Sequence, residues 1–215
     1  IIIERVAYRP FRKSPEQIAL ICTIGASIVL KNLGQLVFGS ETQLVPDLFG
    51  QRFFQVGDLR VTHLQVVVLA TVFVMCLLLQ QLLYRTRLGI SLRAVSMDKD
   101  AAALLGVNVN RTISIGNSIG CALGGVAGVL IGMYYNSVNP IMGASAGMKA
   151  FAAAVLGGLT SIPGAALGGF LLGIFENLGV AFFSSGYRDI IAFTILIAVL
   201  LIRPQGILGR QGEGI

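Results

Sequence analysis

Charge is what this sequence lacks most. Only 12% of its 215 residues are Asp, Glu, Lys or Arg, against 55% hydrophobic, and the mean hydropathy is +0.82. Water-soluble domains carry about 25% charged residues, so the scarcity excludes an ordinary soluble globule and points to an integral membrane protein. Histidine is reduced to His63, and the cysteines to Cys22, Cys76 and Cys121, each inside an apolar run with no two at ligand spacing. They read as small lipid-phase or core residues, and no metal site is expected. No G-x-x-x-x-G-K-S/T, H-E-x-x-H or C-x-x-C string occurs, so any ATP must be handled by another subunit and no cofactor is expected. An initiator Met and a signal-peptide pattern are also missing. The chain opens Ile1-Ile2-Ile3 and is read as a piece whose start lies elsewhere.

The apolar runs predict an all-α, polytopic transmembrane helical bundle forming one domain. Spans of about 1.5 Å per residue are expected near 17–38, 62–84, 112–135, 148–159, 165–183 and 189–202. The fourth and fifth form a short pair, because 148–183 is too long for one crossing and Ser161-Ile162-Pro163-Gly164 interrupts it. The net charge of +6 does not argue for nucleic acid, since the basic residues cluster beside apolar runs. Arg5, Arg9, Arg12 and Lys13 precede the first span, Arg85, Arg87, Arg93, Lys99 and Arg111 fill the central polar segment, and Arg203 and Arg210 close the chain. The alternate side holds only Arg52, Arg60 and Arg188. That imbalance predicts cytoplasmic termini and a cytoplasmic 85–111 loop. Residues 39–61, with Glu41, Asp47 and Asp58, then form an exterior loop in which FFQVGDLRV suits a small hairpin.

The 85–111 segment, RTRLGISLRAVSMDKDAAALLGVNVNR, is too well patterned for an idle connection. Within it, 98–106 predicts a short amphipathic helix. Asp98 and Asp100 suit the positive end of the helix dipole, Gly106 falls where a C-cap glycine belongs, and Ala101, Ala102, Leu104 and Leu105 leave a small apolar face. It reads as the contact through which a separate motor moves the membrane part, or as a solvated loop helix.

Gly116, Gly120, Gly124, Gly128 and Gly132 recur every fourth residue, on one slowly drifting helix face. Such a bare face lets helices pack closely in hydrocarbon. The break at 161–164 is more suggestive, because non-helical backbone at membrane depth survives only inside protein or along a water-filled path, and transporters place such breaks at their pathway. The polar stretch Asn136 to Gly147 leads toward it. The translocation path is therefore expected along Asn136, Asn139, Pro140 and Gly147, then Gly157, Gly158, Ser161, Pro163 and Gly164.

Lys31, Lys149 and Glu176 lie in or at the ends of apolar runs, where charges face protein or water. Snorkelling suits the lysines. Glu176 suits a basic partner, or a proton-coupling role in a secondary transporter. Two G-x-S-x-G strings centre on Ser118 and Ser145. Ser145 with His63 keeps an intramembrane serine hydrolase open as a third reading.

Three stretches carry a resemblance: the 85–111 segment, AGMKAFAAAVLGGLTSIPGAALGGFLLG, and the closing RPQGILGR, with IERVAYRPFR at the start. Together they closely resemble the LivH-type permeases, membrane subunits of bacterial branched-chain amino acid ABC importers, over essentially the whole chain. Against that family the N-terminal spans are absent here. The resemblance implies a type II-like ABC importer permease in the plasma (inner) membrane that performs no catalysis. It also implies a second related permease, two cytoplasmic ATP-binding subunits, and a periplasmic binding protein bringing leucine, isoleucine or valine. A family branch for urea and short amides leaves the substrate open. The family's ATPase-contact signature maps onto Leu92 to Arg111, with Leu92, Arg93, Ala94, Asp98, Asp100 and Ala101 in its first part. Leu104, Leu105, Gly106, Val107 and Asn108 complete it.

Overall fold

An apolar chain in hydrocarbon must satisfy its backbone internally, and helices dominate accordingly. The structure, a computed structural model, describes residues 16–46, 53–56, 59–182, 185–203 and 206–208. Arg5, Arg9, Arg12, Lys13, Arg52 and Arg210, with Asp47 and Asp58, lie outside the described residues. The chain divides into two compact units, residues 1–141 and 142–215.

The first unit begins with helix α1 (Glu16–Phe38) and the two-residue strand β1 (Gln43–Leu44). Strands β2 (Phe53–Val56) and β3 (Leu59–Thr62) form the expected hairpin, with Phe53 opposite Thr62. Next come α2 (His63–Arg85), α3 (Arg87–Met97), α4 (Lys99–Leu104), α5 (Val109–Tyr135) and strand β4 (Ser137–Val138). Strand β4 pairs antiparallel with β1, Gln43 opposite Val138 and Leu44 opposite Ser137. The second unit holds α6 (Met142–Gly157), α7 (Ile162–Phe182), a 3₁₀ turn (Ser185–Tyr187) and α8 (Arg188–Ile202).

Among the described residues α2, α5 and α7 are long and apolar enough to cross a membrane, while Ile24–Phe38 and α6 are shorter apolar helices. Helix α2 buries no residue, and Leu69 and Phe73 stand exposed along it, a surface that lipid or neighbouring helices must cover. The second unit packs through small side chains. Ala152 and Ala153 of α6, Leu172 of α7 and Ala192 of α8 form its buried centre, with Ile195 and Leu196 against them. Association in lipid depends on close backbone approach rather than on hydrophobic drive, which favours such residues.

Three expectations change. The 85–111 segment carries two helices, because Thr86 caps an eleven-residue α3 ahead of the expected short one. Met142 to Gly147 is the first part of α6 rather than a polar connection, since its small residues have no proline or cap to break them. Ile162, Pro163 and Gly164, expected in the break with the second helix starting near Ala165, belong to α7, and Pro163 does not interrupt it. The proline sits in the first turn of α7, where a missing N–H costs nothing. The break is made earlier, by Gly158 at φ +107°.

Candidate functional site

The residues singled out from sequence fall into an elbow in the first unit and a helix break in the second. The elbow is built by three successive N-cap residues, each accepting from a backbone N–H that a helix start leaves unpaired. Thr86 accepts from Gly89 N at 3.2 Å and opens α3. Asp98 Oδ1 accepts from Asp100 N at 2.8 Å and Ala101 N at 3.0 Å and opens α4. Asn108 Oδ1 accepts from Arg111 N at 3.1 Å and opens α5. Helix α4 closes through a double bond pattern, Val107 N to Ala102 O and Gly106 N to Ala103 O, both 3.0 Å. Gly106 takes φ +82° there, as this C-cap requires. Gly89 makes the α2–α3 corner possible, because a Cβ would overlap the carbonyls of Leu82 and Leu83.

The side chains of the elbow divide into inward and outward sets. Leu92 packs against Gly116, where an added Cβ would meet its Cδ2 at 2.9 Å. The Arg93 guanidinium lies 4.9 Å from the centre of the Tyr84 ring, a cation–π contact. Val95 and Ala102 are buried, so Ala102 belongs to the inner side of the face expected to be free. Asp100, Ala101 and Gly106 are exposed. Leu104 and Leu105 are the outward pair, 90% and 82% exposed.

The path residues divide between the units. Asn136, Asn139 and Pro140 belong to the first. Asn136 caps α5 at φ +49°, a left-handed position that asparagine tolerates, and Asn139 Oδ1 accepts from Ile141 N at 2.7 Å. Gly147, Gly157, Gly158, Ser161, Pro163 and Gly164 belong to the second. Gly157 and Gly164 bring the end of α6 and the start of α7 into backbone contact, since a Cβ on either would overlap the other. Ser161 Oγ accepts from Gly164 N at 3.1 Å and caps α7. Gly147 faces open space. The closing stretch completes the break: Ile207 N donates to Leu156 O at 2.9 Å and Leu208 N to Gly157 O at 3.0 Å. These carbonyls end a helix and have no partner within it. Gly206, at φ +78°, fits where a Cβ would lie 2.5 Å from Gly158 N.

Of the glycine ladder, Gly116 and Gly132 are covered by Leu92 and Val138 of this chain. Gly120, Gly124 and Gly128 have nothing within 4 Å of an added Cβ.

An ion cluster in the second unit escaped the sequence reading, apart from the expectation of a basic partner for Glu176. Lys149 Nζ lies 3.1 Å from Glu176 Oε1 and 2.9 Å from Asp189 Oδ1, so one ammonium from α6 meets α7 and α8. Arg188 Nε stands 3.9 Å from Glu176 Oε2. Glu176 is 13% exposed and Asp189 63%. At Glu176 Oε1 the approach is an ion pair without hydrogen-bond geometry. Both G-x-S-x-G serines lie inside helices with their hydroxyls engaged, Ser118 donating to Ser114 O at 2.8 Å and Ser145 to Met142 O at 3.1 Å. Among the described residues no group of His, Cys, Asp and Glu has a metal-binding arrangement.

Comparison with known proteins bears on these features. Residues 2–200 match the family model described as "Branched-chain amino acid transport system / permease component". The chain is 46% identical over 213 residues to the high-affinity branched-chain amino acid transport system permease protein LivH of Escherichia coli K12, covering 97% of this chain and 69% of that protein. It is 44% identical over 212 residues to the corresponding permease BraD of Pseudomonas aeruginosa, with the same coverage. Similarity to the ribose import permease RbsC of Escherichia coli K12 is 34% over 128 residues, 56% of this chain and 40% of that one. No solved structure matches the chain.

Proposed function

The chain belongs to the family of branched-chain amino acid transport permease components, and on that premise we propose that it lines the membrane path of an ATP-driven importer for leucine, isoleucine and valine. It is a multi-pass membrane protein, and its relatives named for these substrates match over nearly its whole length. The partners proposed are two cytoplasmic ATP-binding subunits, a second related permease, and a periplasmic amino-acid-binding protein. The bacterial inner membrane, with both termini and the elbow on the cytoplasmic side, is the matching location.

The carrying observation is the pair Leu104 and Leu105, almost fully exposed on a helix capped at both ends. A six-residue helix is far too short to persist alone, and its caps hold it ready-made for a partner. When ATP closes the motor, α4 moves as a capped unit, and α5, which starts at Asn108, moves with it. Bare at Gly120, Gly124 and Gly128, α5 slides against neighbouring helices without side chains to lock it. The break at Gly158 to Ser161, flanked by Gly157 and Gly164, opens and closes the path for the amino acid.

Replacing Leu104 and Leu105 with Asp tests this in the assembled complex. Membrane insertion is expected to persist while substrate-dependent ATPase activity and leucine uptake separate. Undiminished coupling in that variant would refute the elbow's role, and absence of leucine uptake by the native complex would refute the substrate.

A further inference from the structure

We propose that the groove between the end of α1, the loop after it and β4 is a docking site for the free zwitterion of an amino acid with an aliphatic side chain. This rests on the importer reading above and adds a ligand subsite to it. The groove holds about 320 Å³, at the lower end of the roughly 300–1,000 Å³ of small-molecule pockets. Leu30, Phe38, Val138 and Pro140 give it apolar walls, while Lys31, Glu41 and Gln43 add one cation, one anion and one amide. Among the described residues neither Lys31 nor Glu41 has an ion-pair partner.

A free branched-chain amino acid carries an ammonium, a carboxylate and an aliphatic side chain on one carbon. It needs an anion, a cation and an apolar wall within one small space. The Lys31 ammonium suits its carboxylate, the Glu41 carboxylate suits its ammonium, and the apolar walls suit its side chain. A simple anion would leave Glu41 facing like charge, and a sugar would leave both charges unpaired, an expensive outcome once water is displaced. The opposite charges of site and ligand cancel only for a zwitterion.

Local structure holds the parts together. The β1–β4 pairing sets Gln43 opposite Val138, and Val45 N donates to Asn136 O at 3.1 Å. Gln43 Nε2 donates to Phe38 O at 3.3 Å, tying the loop back to the end of α1. Gly34 keeps the space open, since a Cβ there would meet only Pro140 Cβ, at 4.0 Å. Helix α5 has 27 residues, so at 1.5 Å each the elbow and β4 stand about 40 Å apart. That is about the thickness of a bilayer with its headgroups. The groove therefore belongs to the membrane face opposite the elbow, where substrate arrives in an importer.

A leucine analogue carrying a diazirine in its side chain keeps both charged groups and labels what surrounds it on illumination. With the assembled transporter in vesicles, adducts are expected on the segments containing Phe38 and Val138–Pro140, suppressed by excess leucine. Lys31→Met is expected to cut that labelling about tenfold, the loss of one charge-assisted contact, and Glu41→Gln, at an exposed and screened carboxylate, about two- to fivefold, while Lys31→Arg retains it. Glu41 is exposed on the loop, so its variant tests the site even if α1 variants fold poorly. Gly34→Val, whose Cβ would meet nothing nearer than Pro140 Cβ at 4.0 Å and whose branches add volume at the groove wall, is expected to suppress labelling as well. Leucine uptake with adducts confined to other segments, or groove labelling indifferent to both charge changes, would overturn the site alone. Neither uptake nor labelling by the native complex would overturn the importer reading and the site with it.

Discussion

Replacing Gly168 with alanine puts a methyl group where α7 meets the backbone of α6. The new Cβ would overlap Ala153 O and lie 2.7 Å from Gly157 N and 3.0 Å from Gly157 Cα. All three obstacles are main-chain atoms, so no side chain can rotate away and α6 and α7 must separate. Overpacking of this kind costs about 1–3 kcal/mol, and a backbone obstacle argues for the upper end. Alanine returns about 1 kcal/mol of helix propensity over glycine, leaving a net loss of about 2 kcal/mol. For a chain of this size that lowers the melting midpoint by roughly 4–8 °C. The neighbour supplies the control. At Gly169 the added Cβ would meet only Ala153 Cβ, at 3.8 Å, an ordinary contact, so Gly169→Ala keeps the propensity gain and is expected to melt no lower than the native protein. Both variants should be melted in one detergent at one heating rate, because membrane proteins unfold irreversibly and the midpoint depends on the scan. Equal midpoints for the two variants would refute the packing argument.

Lys149→Met removes the ammonium that joins three helices and leaves Glu176 with only Arg188 at 3.9 Å. With Glu176 largely buried, a loss of about 1–3 kcal/mol is expected in the same melting assay. Asp189→Asn should lose less than about 1 kcal/mol, because Asp189 is mostly exposed and its pair is screened; equal losses would show that the cluster does not depend on burial. At the elbow, Asp98→Ala removes both acceptor contacts at the start of α4, worth about 1 kcal/mol. It should weaken substrate-dependent ATPase activity without reducing the amount of protein in the membrane. Asp98→Asn, still able to cap, should keep that activity, and equal defects in the two would point to lost charge rather than a lost cap.

What the sequence determined by itself was local. The helix start at Asp98 and the stop at Gly106 are legible because caps act within three or four residues, whereas the start of α5 at Val109, capped by Asn108 and three residues ahead of the expected span, is not. The long apolar runs are legible because hydrocarbon leaves them no alternative to the helix. The hairpin that FFQVGDLRV suits is local as well, joining strands two residues apart. Helix α3 was hidden because a mixed, weakly amphipathic stretch looks like loop until Thr86 is seen to cap it. The tertiary structure alone decided which glycines touch backbone, since Gly168 and Gly169 look alike in the sequence and differ only in what α6 presents to them. It also decided that Lys149 meets Glu176 and Asp189, that Ile207 and Leu208 complete the end of α6, and that Lys31 and Glu41 share a groove with Val138 and Pro140. Each of these joins residues far apart along the chain, and their meeting depends on how the helices return past one another, which no local pattern encodes.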